Sequence, residues 1–216
     1  MNYLFRELKQ GNKTIIQQRF TICVSGAAAG HTVEEDYDLA VTLGREIAKR
    51  GHILTTGATV GLPNAAAEGS SLEGGMSIGF SPAASLREHL RKYRLPYENY
   101  SFINFSGLEY AGRDLYLVQS SDAIITIGGR FGSLHEFTSA IEAGKPCGVV
   151  IGSGGTADVI MQLMDILEAP HKALVVYDSN PKIVVEKIEN LLKKDNQDIL
   201  KQFSKRDEFW YHKKHK

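Results

Sequence analysis

Seven short runs of apolar, largely β-branched or aromatic residues recur along this chain, at 20–24, 52–56, 76–80, 100–105, 122–127, 147–151 and 173–177. Segments between them repeat their apolar residues at helical spacing, as at Leu39, Ala40, Leu43 and Ile47, or at Leu134, Phe137, Ala140 and Ile141. This alternation restricts the fold more than any other feature. A run such as Ala123-Ile124-Ile125-Thr126-Ile127 has no polar face to offer water, so it belongs in a sheet covered on both sides. Alternating strands and helices of this kind predict an α/β fold, a doubly wound, Rossmann-like, mostly parallel sheet of about seven strands with helices on both faces. With 216 residues, 43% of them hydrophobic, the chain can bury one substantial core. Residues 1–19 read as an N-terminal extension, either a short outer helix or an arm toward a partner subunit. Residues 20–194 form the domain, and 195–216 a charged C-terminal tail.

Charge narrows the partners. Lys and Arg number 25, as do Asp and Glu, so no global field draws in nucleic acid or an anionic membrane. No apolar run approaches the ~20 residues of a membrane span, and the N-terminus lacks a secretory signal, so a cytoplasmic protein is expected. Cys23 and Cys147 fall within strand-like runs and read as small buried hydrophobes. His212 and His215 lie in the charged tail and read as solvated. Neither a metal nor a cofactor is expected.

The most informative loop follows the fifth run. Gly128, Gly129 and Gly132 interrupt the chain between a strand and a helix beginning at Ser133, which Gly144-Lys145-Pro146 ends. A strand, a glycine loop and a helix N-terminus turn free N–H groups and the positive end of the dipole toward one point, which suits phosphate. The spacing Ser133-Leu134-His135-Glu136 is also that of a capping box, in which Glu136 would close back on the Ser133 backbone. Earlier loops repeat the theme. Ser25 to Gly30 follows the first run, with Thr32 and Glu35 at capping-box spacing behind it, and Gly57 to Gly61 follows the second. At Ser25 and Gly26 the small residues fit either a ligand close to the backbone or a tight turn with nothing bound. Near the end of the chain, Gly152-Ser153-Gly154-Gly155 makes another glycine loop, with Thr156 placed to cap the next helix, which should reach Leu167.

Three motifs in order carry a resemblance. Gly128-Gly129-Arg130-Phe131-Gly132-Ser133-Leu134-His135-Glu136 resembles the P-G-G-x-G-T-x-x-E motif of the Lonely Guy family of nucleotide phosphoribohydrolases. Gly112-Arg113-Asp114 is similar to that family's arginine-bearing helix, and Thr55 to Pro63 to its G-G-G-x-x-G-L-M segment. The likeness covers residues 20–194. It departs from the pattern at Gly128, where the family has proline, at Arg130, where it has glycine, and at Asp114, where it has lysine.

The resemblance implies hydrolysis of the N-glycosidic bond of a nucleoside 5′-monophosphate, with Arg113 and Glu136 catalytic. It further implies a nucleotide- or phosphate-binding set of Ser25, Gly26, Gly57, Gly61, Gly128, Gly129, Arg130, Gly132 and Ser133. Such chemistry needs a carboxylate beside the sugar, because cleavage passes through an oxocarbenium-like state that negative charge stabilises. On this reading Glu136 leaves its capping role for the site. Arg113, which alone would pair with Asp114 or Glu109 at the surface, holds the phosphate or orients the carboxylate. His135 is assigned no chemistry. Family members are dimers, so a homodimer is implied. The alternative is a binding protein that holds a phosphorylated ligand without cleaving it, like the molybdenum-cofactor carriers and nucleotide sensors of the same wider superfamily.

Overall fold

The computed structural model describes residues 5–10, 13–167 and 172–204. Its first two strands, β1 (Phe5–Gln10) and β2 (Lys13–Gln18), pair antiparallel as a separate hairpin. They take the place of the short helix entertained from sequence.

The main sheet has seven strands: β3 (Thr21–Gly26), β4 (Ile53–Thr56), β5 (Met76–Ser81), β6 (Phe102–Phe105), β7 (Ala123–Ile127), β8 (Cys147–Val150) and β9 (Val175–Asp178). All neighbours run parallel, in the order β6-β5-β4-β3-β7-β8-β9. The helices are α1 (His31–Glu35), α2 (Tyr37–Lys49), α3 (Leu62–Leu72), α4 (Leu86–Arg91), α5 (Glu109–Gln119), α6 (Phe131–Glu142), α7 (Gly155–Ile166) and α8 (Pro181–Ser204). This is the doubly wound fold the sequence predicts.

The apolar character of the strands follows from burial on both faces. On one side Ile22, Val24, Leu54, Ile125 and Ile127 pack against Leu43 and Ile47 of α2, Ala65 and Ala66 of α3, and Val184 and Ile188 of α8. On the other, Cys23, Ile124 and Val149 meet Leu117 of α5, Phe137 and Ala140 of α6, and Ile160 of α7. Each fully buried isoleucine contributes roughly 1.5–3 kcal/mol of transfer free energy, which pins the register of β7 from both faces. Cys23 and Cys147 are free and buried, as expected.

Helix starts differ from the sequence reading in three places. Gly30, not Thr32, caps α1; Thr32 lies inside that helix and is buried. Arg130 caps α6, which therefore begins at Phe131, and no side chain caps it. Gly154 caps α7, while the Thr156 hydroxyl donates to the Arg130 carbonyl at 2.8 Å. All three threonine or serine signals were local, and packing between loops claimed their hydroxyls or buried them. At the other end of the chain, α8 continues past Leu192 to Ser204.

The chain lays down β3 through β6 in one direction and then returns to place β7 on the other side of β3. That reversal leaves a crevice at the carboxyl ends of β3 and β7, where ligands bind in sheets of this kind.

Candidate functional site

A cleft of about 220 Å³ opens at that reversal. Its floor and walls come from the loops after β3, β4 and β7 and from α5, which brings residues distant in sequence to one place. The volume is below the ~300–1,000 Å³ usual for small-molecule sites, so a nucleotide-sized ligand would extend beyond its rim.

Glu136 lies at the centre. On α6 it shares the inward stripe of Ser133, Phe137, Ala140 and Ile141, and it is 7% exposed. The Ser25 hydroxyl at the end of β3 donates to its Oε2. It does not reach back to cap the helix, so the capping-box reading of Ser133–Glu136 is corrected. The cause is the earlier start of α6: with Arg130 as cap, Ser133 already stands a turn inside, and Glu136 points to the sheet. Burial, opposed by Arg113 and reinforced by Asp114, raises its carboxyl from the usual 4.5 to about 7.

Arg113 and Asp114 belong to the buried stripe of α5 with Leu117 and Val118. Arg113, 4% exposed, is no surface residue. Its Nη1 donates to the Gly57 carbonyl and, at 3.1 Å, to the Phe80 carbonyl, which fixes the guanidinium against the ends of β4 and β5. Its Nε lies 3.0 Å from Asp114 Oδ1, a charge contact not aligned as a hydrogen bond. The expected alternative partner, Glu109, is not engaged. Asp114 Oδ2 meets His135 Nδ1 at 3.3 Å, so His135, read as an uninvolved surface residue, touches the cleft's chemistry through Asp114. Asp114 also lines the same cleft as Glu136 and helps to raise its carboxyl.

Asp114 was absent from the expected set, although a signal was present. It sits three and four residues before Leu117 and Val118, on the same helical face, and a carboxylate on a core stripe is expensive unless it has a task. Tyr110, one turn before Arg113, was missed as well; it lines the cleft with its ring 5.8 Å from the Arg113 guanidinium carbon.

The remaining expected residues divide. Ser25, Gly26, Gly57, Arg130, Gly132 and Ser133 line the cleft. Gly57 is there to admit Arg113, since a Cβ built on it would lie 1.8 Å from Nη1. In front of Gly132 nothing stands within 4 Å of such a Cβ, so the first turn of α6 is open to a ligand. The first amides of α6 have no partner within the helix. Arg130 is exposed at the rim, and its guanidinium forms no ion pair among the described residues.

Gly61, Gly128 and Gly129 do not line the cleft. Gly61 caps α3 and packs on the Ala27 carbonyl. The Gly128 amide donates to Ser153 Oγ at 2.8 Å, and the Gly128 and Gly129 carbonyls accept from Ala157 and Thr156 at 2.9 and 3.1 Å. With φ at 102° for Gly129, the two glycine loops after β7 and β8 interlock, each supplying the other's backbone partners. Two glycines that read as a phosphate cradle thus serve to join α7 to the site loop.

Among the described residues no group of three or more His, Cys, Asp or Glu is placed to hold a metal ion. No described helix is long and apolar enough to cross a membrane.

Comparison with known proteins places this geometry in context. The family model described as the SLOG cluster4 family matches residues 19–185. An uncharacterised protein of Archaeoglobus fulgidus is 30% identical over 146 residues, 68% of this chain and 87% of the relative. Among solved structures, the molybdenum cofactor binding protein of Rippkaea orientalis superposes with a TM-score of 0.66 at 26% identity, covering 81% of this chain and 98% of that one. The molybdenum cofactor carrier protein of Chlamydomonas reinhardtii does so with a TM-score of 0.66 at 24% identity, covering 82% and 99%. These likenesses agree with the resemblance to the Lonely Guy superfamily.

Proposed function

The chain belongs to the SLOG cluster4 family, and from that premise we propose that its cleft binds a nucleoside 5′-monophosphate and hydrolyses the N-glycosidic bond, releasing free base and ribose 5-phosphate. The observation that carries this reading is the convergence of a buried carboxyl, Glu136, with the fixed guanidinium of Arg113 and the open first turn of α6 in one cleft. The phosphate would sit at that turn, against the free amides, the Ser133 hydroxyl and Arg130, where dipole and charge act together. A ribose reaching inward from there meets Glu136. Its carboxyl would face the reacting carbon, where negative charge stabilises the oxocarbenium-like state. Arg113 would hold that carboxyl in place rather than grip the phosphate, because its Nη1 is already committed to backbone carbonyls.

The test is a panel of nucleoside 5′-monophosphates with free base measured by chromatography. Release from at least one, lost about 10²–10³-fold in Glu136→Gln, is the expected result. A second reading has its own support: two similar solved structures are named for binding or carrying the molybdenum cofactor. Nucleotide binding without release of any base would decide for such a non-hydrolytic, phosphorylated-ligand carrier. We also propose a homodimer in which α5, with Leu115 and Tyr116 turned outward, lies near the interface. Sedimentation equilibrium at micromolar concentration should give twice the chain mass, and a monomer would refute it.

A further inference from the structure

Two carboxyls occupy the cleft where the related motif has one carboxyl and a lysine, and their surroundings are not alike. Both Asp114 oxygens already face donors, Arg113 Nε at 3.0 Å and His135 Nδ1 at 3.3 Å. Glu136 has Ser25 on Oε2 and no ion-pair partner among the described residues as close as Arg113 is to Asp114. Asp114 and Glu136 both line this cleft of about 220 Å³, each more than nine-tenths buried, and two carboxyls confined in so small a space are accommodated best when one of them carries a proton.

We propose that Asp114 is a positioning residue that keeps a proton on Glu136, so that the pair presents one acid and one negative charge to the glycosidic bond. The arrangement supplies both demands of the reaction from one dyad. As the bond from C1′ to the base nitrogen breaks, its electron pair passes to the base, which takes the proton from Glu136 and leaves neutral. The remaining negative charge stabilises the cationic sugar. A water then bonds to C1′ and gives its proton to the dyad, which returns to its starting state. The substrate class follows: nucleotides whose base departs readily once a ring nitrogen is protonated, purines foremost.

The charged or titratable groups that line the cleft around the pair include Tyr110, a turn before Arg113 on α5, whose ring lies 5.8 Å from the guanidinium carbon. Arg113 from α5 draws Glu136 toward ionisation, Asp114 opposes that, and His135 and Arg130 stand at the start of α6. The Cys23 thiol behind them on β3 is pushed up by burial and then by Glu136, so it remains neutral and offers no counter-charge.

The destination of the proton rests on the hydrolase reading, whereas the shared proton does not, and the experiment separates them. In the protein without ligand, infrared difference spectra across neutral pH should show the carbonyl stretch of a protonated carboxyl that disappears as pH rises. Glu136→Gln should lack it throughout. In Asp114→Asn, whose amide can donate to Glu136, it should disappear at least one pH unit lower. Base release should show the same displacement: Asp114→Asn falls at least tenfold at pH 7 and recovers toward acid pH, a recovery that a structural lesion does not give. A band unmoved by Asp114→Asn, or no band, overturns the proposal. Should Asp114→Asn fail to fold, a band that survives in Glu136→Gln overturns it equally. The expected bands with no base released from any nucleotide would uphold the shared proton and refute the hydrolase reading.

Discussion

Replacing Glu136 by glutamine separates a buried charge from a buried shape. Burial first, then Asp114, holds the wild-type carboxyl at about 7 against the pull of Arg113, while the unfolded chain titrates near 4.5. Below about pH 4.5 both states carry the proton, and the site contributes its full stability. As pH climbs from there through about 7 the unfolded chain ionises alone, so stability falls, and above that window the loss is complete. The gap between the two values, at about 1.4 kcal/mol per pH unit, makes the loss roughly 3 kcal/mol. Glutamine does not ionise, yet it accepts from Ser25 and offers N–H to Asp114. Glu136→Gln should therefore match wild type near pH 4.5 and exceed it by roughly 3 kcal/mol at pH 8, about 6–12 °C in Tm for a chain of this size. Urea titrations of both proteins at intervals from pH 4.5 to 8 would measure the divergence. A constant difference across the series would refute a buried, proton-holding Glu136. That is also the result a helix cap would give, since glutamine serves as well at a capping position.

Three further outcomes follow from named contacts. Gly57→Ala places a methyl 1.8 Å from Arg113 Nη1; losing charged bonds to the Gly57 and Phe80 carbonyls should destabilise the fold by about 2–4 kcal/mol and abolish base release, and wild-type urea midpoint with full turnover would contradict this. Arg130→Ala, at the exposed rim, should leave Tm unchanged and weaken binding of a nucleoside monophosphate roughly tenfold by calorimetry; equal or tighter binding would make Arg130 a bystander or an obstruction. Far from the cleft, His52 first and then Lys193 and Arg50 hold the Glu189 carboxyl on α8 well below the usual range. That contribution is present above the unfolded value of 4.5 and lost as pH falls below it. Glu189→Gln should accordingly lose about 2–3 kcal/mol at pH 7, with the difference shrinking toward pH 3, and a pH-independent difference would sink the electrostatic account.

What the sequence determined by itself was the architecture and two of the side chains that line the cleft. The run Ala123–Ile127 has no polar face, and that demands a strand covered on both sides whatever its neighbours. Arg113 and Glu136 were legible because motif and helical stripe agree on them. Tertiary structure decided the rest. A capping box is a local pattern, and Ser133–Glu136 satisfies it in sequence; the interlock of the glycine loops after β7 and β8 moved the helix start to Phe131 and turned Glu136 inward. Gly128 and Gly129 carry the same backbone freedom whether they cradle phosphate or hold α7, and what the loop after β8 does with their amide and carbonyls cannot be read one segment at a time. Asp114 read as a departure from the motif and a neighbour for Arg113. Its proposed second role exists because α5 and α6 meet across the end of β3, which places it in one cleft with a carboxyl 22 positions later in the chain. Pairing between side chains of opposite helices is a property of the packed sheet, since no periodicity along one chain records the distance between two.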